Sequence, residues 1–217
     1  MSPELSIKNI FSFEQPFEHN GAQTFSVIIN LLRGARYLCG ADLDTGEYKL
    51  INLGFSVENN LYHSFSFSGI LNYLILLEQI GTLVEPKIKS ENTDEKAIKR
   101  ALFYFSNLDK EERIILAQLR NCLAHRFSLS TEKDSKYPHK FILSIEESAE
   151  VIKKPMFKWD GDFSNKDENY STTIYSKNLI QLIEDIFLNI QTLAQEEKLS
   201  LIVEDGVEEL FTRYAIK

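Results

Sequence analysis

Cysteine is scarce in this chain: Cys39 and Cys122 are the only two in 217 residues. They lie far apart in helical patterns, which makes them buried thiols rather than a disulfide or a metal-binding pair. There is no GxSxG, GxxxxGKS/T, HExxH or CxxC, so a hydrolase triad, a phosphate-cradling loop and a zinc site find no support, and neither metal nor cofactor is expected. Long apolar runs are missing too. The longest, 70–77, contains Asn72 and is closed by Glu78, too short to span a bilayer. The N-terminus has no basic start followed by an apolar stretch, which excludes a secretory signal. Positive charge is in deficit, with 24 Lys and Arg against 32 Asp and Glu and a formal net charge of −8. Such a chain is no general nucleic-acid binder, and any RNA must be met at a local patch. No internal repeat or low-complexity segment occurs. These absences describe a reduced, cytoplasmic chain that makes no use of a membrane.

What is present is ordinary for a globular protein: 43% hydrophobic and 26% charged residues. The length suits one domain with a sizeable core. Residues 1–20 carry no clear period, and Phe11, Phe13 and Phe17 are expected to pack an arm onto the body. A helix fits about 23–40, with Ile28, Leu31, Leu32, Ala35, Leu38 and Cys39 on its stripe and Arg33 and Arg36 off it. The segment 48–57 reads as two short strands or an irregular crossover. A second helix fits about 67–83 and is apolar nearly all round, which places it at the centre of a bundle or against another subunit. Thr93 or Asp94 caps a third helix carrying Ala97, Ile98, Ala101, Leu102 and Phe105. Asp109 caps a fourth, with Glu111 and Glu112 favouring its positive end. From 130 to 175 the period shortens, and a small antiparallel sheet is expected from strands near 141–145, 151–152, 157–159 and 172–175. Ser176 caps a last long helix to about 198, and a short element at 207–214 closes the chain. The expected fold class is mainly α: a bundle of four to five helices over 22–126 and 176–198, an antiparallel β insert at 130–175 before the last long helix, and a C-terminal extension at 200–217.

The fourth helix carries the chemistry, in the stretch 116–127, LAQLRNCLAHRF. At about 100° per residue, Ile115, Leu116, Leu119, Cys122 and Leu123 share a core-facing stripe. Arg120 and His125 flank the opposite arc, with Ala117, Asn121 and Ala124 between them. Asn121 and His125 are i, i+4 neighbours able to meet directly. The small alanines let a substrate backbone or another helix come close. The stretch also sits where charge is locally reversed: 96–126 holds seven basic and three acidic residues, against three and eight over 179–217. Arg113 and Arg126, in the same basic segment, are the candidates for substrate contact.

Cleavage of RNA by attack of its own 2′-hydroxyl needs a proton acceptor, a proton donor and a cation for the phosphorane oxygens. Histidine serves either proton role, for roughly 10²–10⁴-fold. Arginine forks onto phosphate oxygens. Asn121 can hold the imidazole or a phosphate oxygen. One helix supplies one histidine, and a two-fold dimer apposing two such helices supplies the second.

Arg120-Asn121-Cys122-Leu123-Ala124-His125, an arginine followed by a polar residue and then a histidine at the fifth position, resembles the signature of HEPN-domain ribonucleases. The resemblance covers the motif helix and the helix order over 22–126 and 176–198, not the insert. It implies one HEPN-like helical domain over 1–217, a dimer with both motifs facing one cleft, and metal-independent endoribonuclease activity with Arg120, Asn121 and His125 in the site. It implies a toxin or phage-defence role, with an antitoxin protein as a partner. The chain departs from one branch of that family. In toxins paired with nucleotidyltransferase antitoxins a tyrosine follows the histidine by two, whereas Phe127 stands there, with no hydroxyl to modify.

A second reading stays open: a non-catalytic helical module of the same type that binds a protein, a nucleotide or RNA. In it, His125 and Arg126 favour the helix dipole at a C-terminus and do nothing more. The remaining features have structural readings. The sequence 42–46, DLDTG, is a turn, since it lacks the further ligands of a calcium loop. His19, His63 and His139 are isolated. Tyr137, Phe141, Phe157 and Trp159 form the core of the small sheet, with base stacking as the alternative.

Overall fold

The computed structural model describes residues 1–47 and 67–216. The expected strands at 48–57 and His63 lie outside the described residues. Helix α1 (Pro3–Phe11) replaces the irregular arm. Ser2 caps it by accepting from the Leu5 amide (3.2 Å), and Pro3 fits its first turn. Strands β1 (Phe17–His19) and β2 (Ala22–Ser26) form a hairpin whose turn residues, Asn20 and Gly21, both take positive φ, the conformation that Asn-Gly supplies in two-residue hairpins. The helix expected from 23 is therefore shorter. It is α2 (Val27–Leu38), started by Ser26, whose hydroxyl accepts from the Ile28 and Ile29 amides.

Helix α3 (Phe67–Leu83) packs against α2, α4 (Ile98–Phe105), α5 (Lys110–Arg126) and α6 (Ser176–Gln195). Its all-round apolar character is used inside one molecule. Gly81 lets the start of α4 approach it, because a Cβ there would lie 2.0 Å from the Ala97 carbonyl oxygen. No side chain caps α4, since Thr93 accepts instead from the Glu95 amide; α6 likewise starts without a side-chain cap. One contiguous core joins α1 through α7 (Gly206–Tyr214).

The expected four-to-five-helix bundle is not what forms. The described residues hold seven α-helices and are 48% helical and 15% strand, an α/β mix with three sheets of two or three strands. Strand β8 (Ala215–Ile216) pairs with β2, and β3 (Val84–Pro86) pairs with β7 (Leu199–Leu201), both antiparallel. The third sheet, in the insert, is mixed rather than antiparallel. Strand β4 (Lys140–Ser144) runs parallel to β6 (Ser171–Tyr175), and β5 (Ile152–Lys153) runs antiparallel to β6. The long connection from β4 to β6 is the crossover that a parallel pair requires. Residues 157–159 form no strand. Of the four aromatics expected to form the core of the small sheet, Phe141 and Trp159 are buried, while Tyr137 and Phe157 are exposed.

Candidate functional site

Helix α5 is fixed at both ends. A capping box starts it: the Asp109 carboxylate accepts from the Glu112 amide and Glu112 from the Asp109 amide, each at 2.8 Å. Lys154 of the insert bridges Asp109 and Glu111, both at 2.8 Å. It holds the Asp109 carboxyl below the usual range, helped by the Glu112 amide. At the other end Phe127 turns into the left-handed region and its ring meets Phe67, with centroids 4.5 Å apart. Between these ends Ile115, Leu116, Leu119, Cys122 and Leu123 are buried, while Asn121, Ala124 and His125 are exposed.

The motif residues meet. Arg120 Nη1 lies 3.3 Å from His125 Nε2 and 3.3 Å from Asn121 Oδ1. A guanidinium has only donors, so His125 Nε2 accepts and the ring proton sits on Nδ1 in this arrangement. Arg120 Nη2 donates to Glu78 of α3. Arg120 Nε is buried with no hydrogen-bond partner among the described residues. The guanidinium thus has Nη2 on Glu78 and Nη1 toward His125 and Asn121, while Ala117, expected on the exposed arc, packs against the core. Sequence reasoning does not single out Glu78 as a site residue, yet it is the one charged residue in α3.

His125, Asn121 and Cys122 line a cavity of about 430 Å³ whose far wall is Thr131, Glu132 and Ser135 of the insert. Arg120 reaches His125 from the other side and is not part of that wall. Arg126 lines the cavity and pairs with Glu132. Arg113 is not brought to the cluster. Its guanidinium is held by Glu95 (2.9 Å) and the Leu108 carbonyl (2.7 Å) and lies over the Phe103 ring.

The other singled-out residues serve structure. Cys39 and Cys122 are buried free thiols. His19 is buried against Phe211, with rings 3.8 Å apart. His139 is half-buried, faces the Thr172 hydroxyl at 3.0 Å, and is pushed down by burial. The Asp42 carboxylate accepts from the Asp44 and Thr45 amides, closing the expected turn. Arg36 lies off the expected apolar stripe, but it is 2% exposed and forks onto Glu184. Among the described residues, no helix is long and apolar enough to cross a membrane.

No family model matches this chain, and neither a curated protein nor a solved structure does.

Proposed function

We propose that this chain is a metal-independent endoribonuclease of the HEPN type, acting as a homodimer with one Arg120–His125 pair from each copy in a shared cleft. The observation that carries this reading is the contact of Arg120 Nη1 with His125 Nε2 at the exposed end of α5. A base and a phosphate-binding cation thereby meet where an RNA backbone can reach them. The 2′-oxygen attacks phosphorus as one imidazole takes its proton. The phosphorane charge falls on Arg120. The P–O5′ bond breaks, and a second imidazole, from the other copy, protonates the leaving 5′-oxygen. The products are a 2′,3′-cyclic phosphate and a 5′-hydroxyl. Asn121 positions the guanidinium, and Glu78 holds its far edge. The resemblance, rather than the geometry, is what puts such an enzyme in a toxin or defence role with an antitoxin partner.

Digestion of single-stranded RNA in chelator-treated buffer tests this. The wild-type chain releases cyclic-phosphate ends, whereas His125→Ala and Arg120→Ala lose at least 100-fold in rate and keep the wild-type circular dichroism spectrum. Unchanged cleavage in either variant defeats the reading. One observation favours the non-catalytic alternative: Glu78 already neutralises Arg120, so the pair also serves to lock α5 to α3. That alternative expects no turnover from the wild-type chain.

A further inference from the structure

A second cavity, about 570 Å³, lies between α5 and the insert and is lined by Lys110, Ile114 and Ile115 of the helix and by Lys136, Tyr137 and Lys158, among others. It shares a helix face with the His125 cavity. Residues 111, 115, 118, 122 and 125 follow the i, i+4, i+7, i+11, i+14 row, a line of about 21 Å along α5. The segment 131–139 walls both cavities. They lie along one face of α5, without a lining residue in common.

The charge there opposes that of the whole chain. Four lysines and one glutamate line the second cavity, in a protein of net charge −8. The glutamate, Glu111, is already bound by Lys154, which also holds Asp109. Lys110, Lys136 and Lys158 are exposed and make no ion pair among the described residues. Tyr137 is 39% exposed, and the Lys136 ammonium lies 5.3 Å from its ring centroid. Spaced cations beside a partly exposed aromatic ring are what a single strand needs. The lysines take phosphates, and the ring stacks on an unpaired base.

We infer that the two cavities are stations on one groove that binds single-stranded RNA, with Lys110, Lys136 and Lys158 on successive phosphates and Tyr137 on a base, and leads the strand to His125. The inference rests on the ribonuclease reading for where the strand goes. It assigns the β insert, which lies outside the HEPN resemblance, the task of holding substrate.

The test is fluorescence anisotropy of a labelled, unstructured RNA oligonucleotide against the full chain carrying His125→Ala, so that the probe survives. Adding Lys136→Glu and Lys158→Glu weakens binding at least ten-fold. It also lowers the slope of log K against log salt by roughly 1.4, about 0.7 for each phosphate that is no longer neutralised. Tyr137→Ala weakens binding five-fold or more, and Tyr137→Phe restores it, because the ring does the stacking. All substituted positions are exposed, and thermal melts check that the variants are folded. Binding indifferent to the lysine reversals overturns the inference. So does a lysine effect without a Tyr137→Ala effect, which describes a bare polyanion patch. Cleavage by the wild-type chain is scored separately. Lysine- and tyrosine-dependent binding without cleavage keeps the groove and sinks the ribonuclease reading, and cleavage with unaltered binding in the groove variants does the reverse.

Discussion

Two carboxylates, Glu78 and Glu184, show what single residues do here and how far a sequence displays them. Glu78 is visible as the acid that ends an apolar run, but its partner Arg120 lies 42 positions away, and no local period connects them. Arg36 escapes the helical pattern for the same reason. A helical stripe predicts burial of apolar side chains, whereas Arg36 is buried because Glu184, 148 residues distant, meets it with two hydrogen bonds of 2.9 and 2.7 Å. Its Nη1 donates to the Leu43 and Asp44 carbonyls, and Tyr73 donates to the same glutamate at 2.6 Å. Burial presses the guanidinium toward losing its proton, and the Glu184 hydrogen bonds and charge outweigh it and hold it up. Burial, then the Glu184 charge, pushes the neighbouring Cys39 thiol up to about 12. Glu184→Ala leaves a buried guanidinium uncompensated and is expected to cost about 3–5 kcal/mol. Urea denaturation measures it. Pairing Glu184→Leu with Arg36→Met recovers most of the loss, because removing both charges removes the desolvation cost as well. A double variant as unstable as Glu184→Ala contradicts this account.

Elements are legible in the sequence where periodicity or capping chemistry is strong. The apolar run of α3 and the Asp109 start of α5 can both be read directly. Three insert strands can be read as well, since β4, β5 and β6 lie within a residue of the expected 141–145, 151–152 and 172–175; β1, β2, β3, β7 and β8 cannot, because elements so short carry too little alternation. The N-terminal hairpin does leave a signal, the Asn20–Gly21 dipeptide. The apolar residues from Ile28 onward mask it, because they extend a helical pattern backward toward it. At α5, the element that carries the site, the start is held by both the capping box and Lys154. Asp109→Ala removes the side-chain cap and one of the two Lys154 contacts, the one to Glu111 remaining, and is expected to cost about 1 kcal/mol at neutral pH, read from thermal unfolding. The sign of its pH dependence follows from the direction of the Asp109 shift. The folded-state carboxyl is held low, so its contribution is present above the unfolded value of about 3.9 and fades as pH falls through the folded one. The difference between wild type and variant therefore shrinks in acid. A gap that widens below about pH 4 would contradict the assignment.

At the scale of the whole molecule, the expected bundle gives way to an α/β mix because two of the three sheets are closed by pairings between distant parts of the chain. Phe25 pairs with Ile216, and Val84 with Leu201. Such contacts are written in no local window, whereas helices are. The motif helix survives this correction because its geometry is local: Arg120 and His125 are five residues apart, little more than one turn, and the long arginine side chain spans that distance. What one copy presents is an exposed arc of Asn121, Ala124 and His125 with a single imidazole. On the proposed reading, cleavage needs a second imidazole, and a two-fold partner brings it when the small surface around Ala124 lets the two helices approach. Ala124→Arg tests this without touching Arg120, His125 or the core. The bulk and charge of the new side chain hold the copies apart, so light scattering should fall from about twice the chain mass of 25.1 kDa to the chain mass itself. Cleavage should fall with it by at least 100-fold, since the acid and the base then belong to separate molecules. Circular dichroism and RNA binding in the groove should stay close to wild type, because position 124 is exposed and lines neither cavity of the groove. A variant that is monomeric yet fully active would mean that one copy suffices, and that the second proton role belongs to another group in the same chain.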